Sequence, residues 1–270
     1  LKAIAFLRWF ISDSDRGSPD AGLPCERFND AFAATAPMRL AIEFGGRLDL
    51  TSDPPDDTTE YGAWRYELEM QPGPNRITVV SEVLRQRPAG KSKWARSFER
   101  VGNEVKAARS FNISGFSPIV NKVRDNASLI STLAQFKHKP SLALRSAALM
   151  IAGNVGIDRF EYNDDIVAPH YASNDFRLKN LNREIQRIDV GIKRMYVDQT
   201  ANGPIAMFEH EGLELPMPMS LESHGTRTFI KYFPLIDMAF ESGGLALIDE
   251  IDVSTPPLIL PEISKWFHDP

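Results

Sequence analysis

One cysteine, Cys25, stands in a chain of 270 residues. A lone thiol excludes an internal disulfide and any zinc site built on cysteines, and it fits a reducing cytoplasm. Apolar runs long enough to cross a bilayer are also missing, so no membrane span is expected. There is no excess of positive charge: 31 Lys and Arg against 36 Asp and Glu leave a net charge of −5, which argues against a generally basic surface for nucleic acid. His138, His170, His210 and His268 are scattered without the spacing of metal ligands, which points to core or solvated roles. Internal repeats and low-complexity tracts are absent. What remains is an ordinary globular composition, 43% apolar and 25% charged, on a chain long enough for one large core or two smaller ones.

Residue 1 is Leu rather than Met, and "LKAIAFLRWFI" opens at once with Ile4, Leu7 and Ile11 on one helical face and no capping residue before it. Arg8 inside that stretch and the want of a small-residue cleavage site argue against a signal peptide. The expectation is an internal piece of a longer chain. Two polar loops follow, at 13–24 and 51–60, and between and beyond them the period changes to two. Leu40, Ile42 and Phe44 alternate with Arg39 and Glu43, and Trp64, Tyr66, Leu68 and Met70 alternate with Arg65, Glu67 and Glu69. With 77–84 and 94–101, residues 38–106 read as an antiparallel sheet with one wet face, its aromatic side forming core rather than a platform for bases. From about 116 to 187 the pattern is helical, joined by a loop over "YNDDIVAPHYASND". Strands return at 188–197 and 204–210, then a helix at about 226–240 with Phe229, Phe233, Ile236 and Phe240 on one stripe, a short apolar strand, and a last helix from about Pro257. The order implies an α/β protein with an inserted helical subdomain.

The short strand carries the chemistry. In "GGLALIDEIDVS", Leu245 to Ile248 read as a strand buried on both faces, and Asp249, Glu250 and Asp252 follow at its carboxyl end. In open α/β sheets that end faces the ligand crevice, and two carboxylates packed there repel each other unless a proton or a hard cation such as Mg²⁺ compensates. "RPAGKSKW" offers Gly90-Lys91-Ser92 as half of a phosphate loop, but position 85 is Arg where the first glycine belongs, so a basic hairpin turn is the better reading. Ser223-His224 does not form a hydrolase elbow, because Leu221 occupies the position that needs Gly.

An apolar strand ending in Asp-Glu resembles the Walker B element of ABC-type ATPases. "LESHGTRTFI", about twenty residues earlier, resembles their signature motif through Ser223, Gly225 and Thr226. Together with "LKAIAFLRWFI" and "NASLISTLAQF", these segments are similar to the AAA-family putative ATP-binding proteins with ABC-type heads, over nearly the whole chain. The resemblance implies a P-loop NTPase fold, divided into an antiparallel lobe at 1–110, a helical insertion at 111–187 and a signature and Walker B lobe at 188–270. It places the phosphate loop just before Leu1 and a further strand ending in histidine after Pro270. It also implies ATP and Mg²⁺ as cofactors and a head-to-head homodimer sandwiching two nucleotides. Asp249 would hold the metal, and Glu250 would activate water, a role worth ~10²–10⁴ in rate. Ser223, Gly225 and Thr226 would meet the partner's phosphates at a helix N-terminus, or, in the plainer alternative, Ser223 is only a helix cap. Asp252 and Ser254 would form the loop after Walker B, where Pro256-Pro257 departs from the family's His-Pro. That departure favours a second expectation, a nucleotide-gated module that contacts nucleic acid or an effector protein and hydrolyses slowly or not at all.

Overall fold

The computed structural model describes residues 1–25, 36–51, 59–73, 76–156, 163–254 and 259–266. It separates into two compact units, 1–149 and 150–270.

The first unit begins with α1 (Lys2–Asp13), which has no side-chain cap at Leu1 and buries Phe6, Leu7, Phe10 and Ile11 along one side. A meander follows: β1 (Met38–Arg47), β2 (Tyr61–Pro72), β3 (Ile77–Pro88), β4 (Ala95–Val101) and β5 (Glu104–Ala107), antiparallel and adjacent in chain order. The two-residue period predicts which face is dry. Trp64, Tyr66, Leu68 and Met70 are each 1% exposed, while the opposite face carries the cross-strand ion pairs Arg39–Glu69 at 3.2 Å and Arg65–Glu43 at 2.9 Å. The segment 89–94 is the turn between β3 and β4, with Gly90 at φ +74, as the basic hairpin-turn reading of that stretch expects. Three helices, α2 (Ser117–Val120), α3 (Leu129–Gln135) and α4 (Lys139–Leu149), complete the unit, and Leu129, Ile130, Leu133 and Leu144 join the α1 and sheet side chains in one core.

Within that core lies Glu82, 0% exposed, a residue that would be costly there without partners. It accepts hydrogen bonds from Tyr66 Oη at 2.9 Å, Ser128 Oγ at 2.7 Å and the Leu129 amide at 2.8 Å, and Arg100 Nη1 lies 3.5 Å away. The start of α3 therefore presents both an amide and a cap to this carboxylate. Arg100 in turn donates to the carbonyls of Gly102, Arg124 and Ala127, which ties the segment before α3 to β4. Burial, then the adjacent Glu82 charge, pushes the Tyr66 phenol well up, so it stays protonated and donates.

The second unit contains β6 (Ile151–Gly153), α5 (Asp164–Ala172), α6 (Asp175–Ile188), β7 (Ile192–Thr200), β8 (Gly203–His210), β9 (Met217–Pro218), α7 (His224–Ser242), β10 (Leu245–Leu247), α8 (Ile251–Ser254) and α9 (Ile259–Trp266). Strands β7, β8 and β9 form an antiparallel sheet, and β6 pairs with β10 in parallel. Leu181 and Ile185 of α6, Phe208 of β8 and Phe229, Ile230 and Phe233 of α7 meet in its core. Pro234 interrupts α7 and leaves the Ile230 carbonyl without its helical donor; Tyr171 Oη donates to that carbonyl at 3.0 Å.

The protein is thus mixed α/β with an antiparallel sheet, as the alternation predicts. Two expectations need correction. Within the loop expected at 162–175, residues 164–172 form α5, because Asn163 caps the Ile166 amide and Asp164 and Asp165 sit in its first turn, a start signal that outweighs Pro169; residue 162 lies outside the described residues. The stretch 111–187 is not all helical, since β6 lies within it and the boundary between the units also falls there. The helix expected from Pro257 begins at Ile259 in α9; Pro256 and Pro257 lie outside the described residues, as does His268. Among the described residues no helix is long and apolar enough to cross a membrane.

Candidate functional site

Helix α7 stops because Gly243 takes the left-handed conformation, φ +62, and the Gly244 amide reaches back to the Ala239 carbonyl at 3.1 Å. The chain then enters β10, where the Leu245 amide donates to the Met150 carbonyl at 2.9 Å. A Cβ on Gly244 would strike the Met150 carbonyl oxygen, and one on Gly153 would strike that of Leu247. Both ends of the short parallel ladder therefore depend on glycine for close approach.

Strand β10 is not buried on both faces. Only Leu247 is buried, and Leu245 is 42% exposed. An apolar run is buried on both faces only where strands flank it on either side, and among the described residues β10 pairs with β6 alone. The acids nonetheless follow its carboxyl end directly. Asp249 and Glu250 are both exposed, and among the described residues neither carboxylate has a cationic partner. Glu250 has φ +57, a left-handed conformation that costs a side-chain-bearing residue about 1–2 kcal/mol. Asp252 is exposed in the short α8, and Ser254 is the last residue of that helix.

Asn154 governs the acid turn. Its amide donates to the Leu247 carbonyl at 3.0 Å, its Oδ1 accepts the Asp249 amide at 2.8 Å, and its Nδ2 donates to the Asp249 carbonyl at 3.0 Å. The same Nδ2 donates to Tyr232 Oη on α7 at 3.2 Å. Sequence reading missed both residues. The signal was there: Ile151 followed by Gly153 and Gly156 breaks the helical pattern of 139–149 and marks a short strand.

At the other end of α7, Ser223 is an N-cap: its Oγ accepts the Thr226 amide at 3.1 Å and lies 2.8 Å from Thr226 Oγ1. The plainer reading of Ser223 is therefore its local role. Among the described residues the amides of His224 and Gly225 have no acceptor, and they are the helix's first free donors. Thr226 is buried and its Oγ1 lies 3.4 Å from Asp189 Oδ2. Just before the cap, Glu222 is 8% exposed, with His210 Nε2 3.2 Å from its Oε1. Burial raises the Glu222 carboxyl above its usual range; the His210 charge opposes the shift and Asp189 adds to it. One turn further on, Arg227 donates to Asp164 Oδ2 at 2.9 Å, and Lys231 pairs with the other oxygen of that carboxylate. The Lys231 hydrogen bond, followed by the two cations' charge, holds Asp164 below the usual carboxylate range.

Asn154, which holds the acid turn, is bonded to Tyr232 of α7, nine residues after Ser223. At 1.5 Å per residue that is about 13 Å along the axis. The predicted residues thus divide into two groups, Asp249, Glu250 and Asp252 after β10 and Ser223, Gly225 and Thr226 at the start of α7. Among the described residues no group of three or more His, Cys, Asp or Glu gathers as a metal cage. Asp249 and Glu250 are exposed carboxylates adjacent in the chain, the ligand type of a hard cation that keeps waters and takes its other ligands from substrate phosphates. No family model and no curated protein sequence matches the chain.

Proposed function

We propose that this chain works in an ABC-type P-loop ATPase head, which binds ATP with Mg²⁺ and hydrolyses it as a homodimer. One observation carries the reading: two exposed carboxylates, Asp249 and Glu250, without a cationic partner among the described residues, follow the carboxyl end of a strand in a parallel pair, and Glu250 turns at φ +57 directly after Asp249, whose backbone amide and carbonyl are both held by Asn154. Strain of this kind concentrates where function needs one geometry.

In this reading Asp249 ligates the cation directly or through water. Bound Mg²⁺ supplies charge neutralisation on the transferring phosphoryl group. Glu250 accepts the proton of the attacking water and orients it. The acids follow β10 and are tied through Asn154 to Tyr232 in the middle of α7, while Ser223, Gly225 and Thr226 lie at that helix's start, which supports a sandwich in which each cluster serves a different nucleotide. The free amides of His224 and Gly225 and the positive end of the α7 dipole suit a partner's phosphate, while Ser223 remains the cap. Asp252 and Ser254, in the helix after the acids, belong to the same dimer contact in this reading.

The test is steady-state ATP turnover by the full-length protein, with and without DNA or RNA, beside its Glu250→Gln variant. The variant is expected to bind ATP and lose turnover by about 10²-fold or more. Hydrolysis at the parental rate by Glu250→Gln would remove Glu250 from its role. Nucleotide binding by the parent without turnover under any condition would instead identify a nucleotide-gated interaction module.

A further inference from the structure

We propose that Asn154 is a positioning residue, whose carboxamide stands in for the next strand residue of β6 and sets the direction in which Glu250 points. The proposal rests on the ATPase reading above and names a residue outside the motifs on which that reading was built.

The parallel ladder of β6 and β10 pairs Ile151 with Leu245, Ala152 with Ala246 and Gly153 with Leu247. Past Gly153 the main chain makes one further bond, from the Asn154 amide to the Leu247 carbonyl. Asp249 would then be left with an amide and a carbonyl at the end of a sheet. The Asn154 side chain satisfies both, accepting from the amide at 2.8 Å and donating to the carbonyl at 3.0 Å. A carboxamide has the donor and acceptor of a peptide group, so it extends the ladder without extending the strand. Its second Nδ2 proton goes to Tyr232 Oη, which orients the amide so that the nitrogen, not the oxygen, faces the Asp249 carbonyl.

The consequence falls on the next residue. With both backbone groups of Asp249 held and α8 starting at Ile251, Glu250 is the one residue left to turn the chain, and it does so at φ +57. A left-handed non-glycine residue persists only where its surroundings over-determine it. Freed from Asn154, Asp249 can rotate and Glu250 can relax to negative φ, which redirects its carboxylate. Misplacement of a reacting group by about 1 Å can cost 10²-fold in rate.

An internal control exists. Asn182 of α6 makes the same pair of bonds to Met195 of β7, donating to its carbonyl at 2.9 Å and accepting its amide at 2.7 Å, on a strand that carries none of the acids. In the full-length protein, Asn154→Ala and Asn182→Ala should lower the melting temperature to a similar degree. Only Asn154→Ala should lower kcat, by about tenfold to a hundredfold, with KM for ATP changed by no more than about twofold. Asn154→Asp keeps the acceptor for the Asp249 amide but loses the donor, and should fall at least as far. In parallel, hydrogen exchange of the Asp249 amide should speed up at least about tenfold in Asn154→Ala and not in Asn182→Ala. Parental kcat in Asn154→Ala, or an equal loss in Asn182→Ala, overturns the positioning role while the ATPase reading stands. If the parent itself turns over no ATP, that reading fails, and the catalytic part of this proposal fails with it. An Asp249 amide that exchanges no faster in Asn154→Ala overturns the clamp in either case.

Discussion

Replacing Glu250 by Gly and by Ala makes a sharp test of the acid turn, because the two substitutions separate backbone strain from chemistry. Glu250 has φ +57, and a residue with a Cβ pays about 1–2 kcal/mol there. Glu250→Ala keeps the Cβ and keeps the strain. Glu250→Gly removes it, at a cost of about 0.4–1 kcal/mol because the unfolded chain gains freedom. The balance puts Gly above Ala by about 0.5–1 kcal/mol, the reverse of their order at an ordinary backbone position. In a unit of this size that is about 2–4 °C in melting temperature. Circular dichroism melts of the two variants side by side measure it, and nucleotide turnover on the same samples should be lost in both. Lys137, an exposed residue at φ +61 between α3 and α4, is the control: Lys137→Gly should be more stable than Lys137→Ala by a similar margin with turnover unchanged. If Glu250→Ala melts at or above Glu250→Gly, the turn is not left-handed in solution, and the argument that strain is retained there for function falls.

Two further outcomes follow from the second unit. Tyr171→Phe leaves the Ile230 carbonyl buried without a donor and should raise hydrogen exchange through residues 230–239 by about 1–3 kcal/mol of opening free energy. In a Pro234→Ala background the restored amide at 234 can serve that carbonyl, so the cost of Tyr171→Phe should shrink; an unchanged cost would show that the hydroxyl has another role. For Glu222, burial raises the folded-state carboxyl pKa, so the protonated form stabilises the fold. That contribution is complete below the unfolded value of about 4.3 and is lost as pH rises through the raised folded value. The melting temperature of Glu222→Gln should therefore gain on the parent between pH 4 and neutrality, and a difference that stays flat with pH would contradict the assignment.

The first unit was largely legible because period-two alternation is a local signal with one global meaning. Once Trp64, Tyr66, Leu68 and Met70 must share a face, the polar neighbours Arg65, Glu67 and Glu69 must share the other, and the meander follows from short connections. What alternation cannot encode is a buried charge. Glu82 occupies a core position of β3, and its partners come from β2, β4 and the start of α3; no spacing in the chain announces that Ser128 and the Leu129 amide will meet it. The second unit was harder for the opposite reason. Its decisive elements are short, with β6 and β10 three residues each, and a three-residue strand has no period to read.

The same contrast explains what the motif did and did not reveal. Asp249 and Glu250 stand out because adjacent acids after an apolar run are chemically odd, and Ser223 stands out because a hydroxyl before a long helix is a cap. Neither oddity says what holds the acids in place. That depends on Asn154, ninety-five residues earlier in the chain, and on Tyr232, eight residues past the start of α7. Both are polar residues of ordinary kinds at unremarked positions, and they become meaningful only when a parallel pairing brings Gly153 beside Leu247. The glycines at 153 and 244 make that approach close enough for a side chain to finish the ladder. The carboxylates carry the proposed chemistry, yet the direction in which they point is set by residues whose side chains have no chemistry to perform. A search for reactive groups alone will find Glu250 and overlook the amide that aims it.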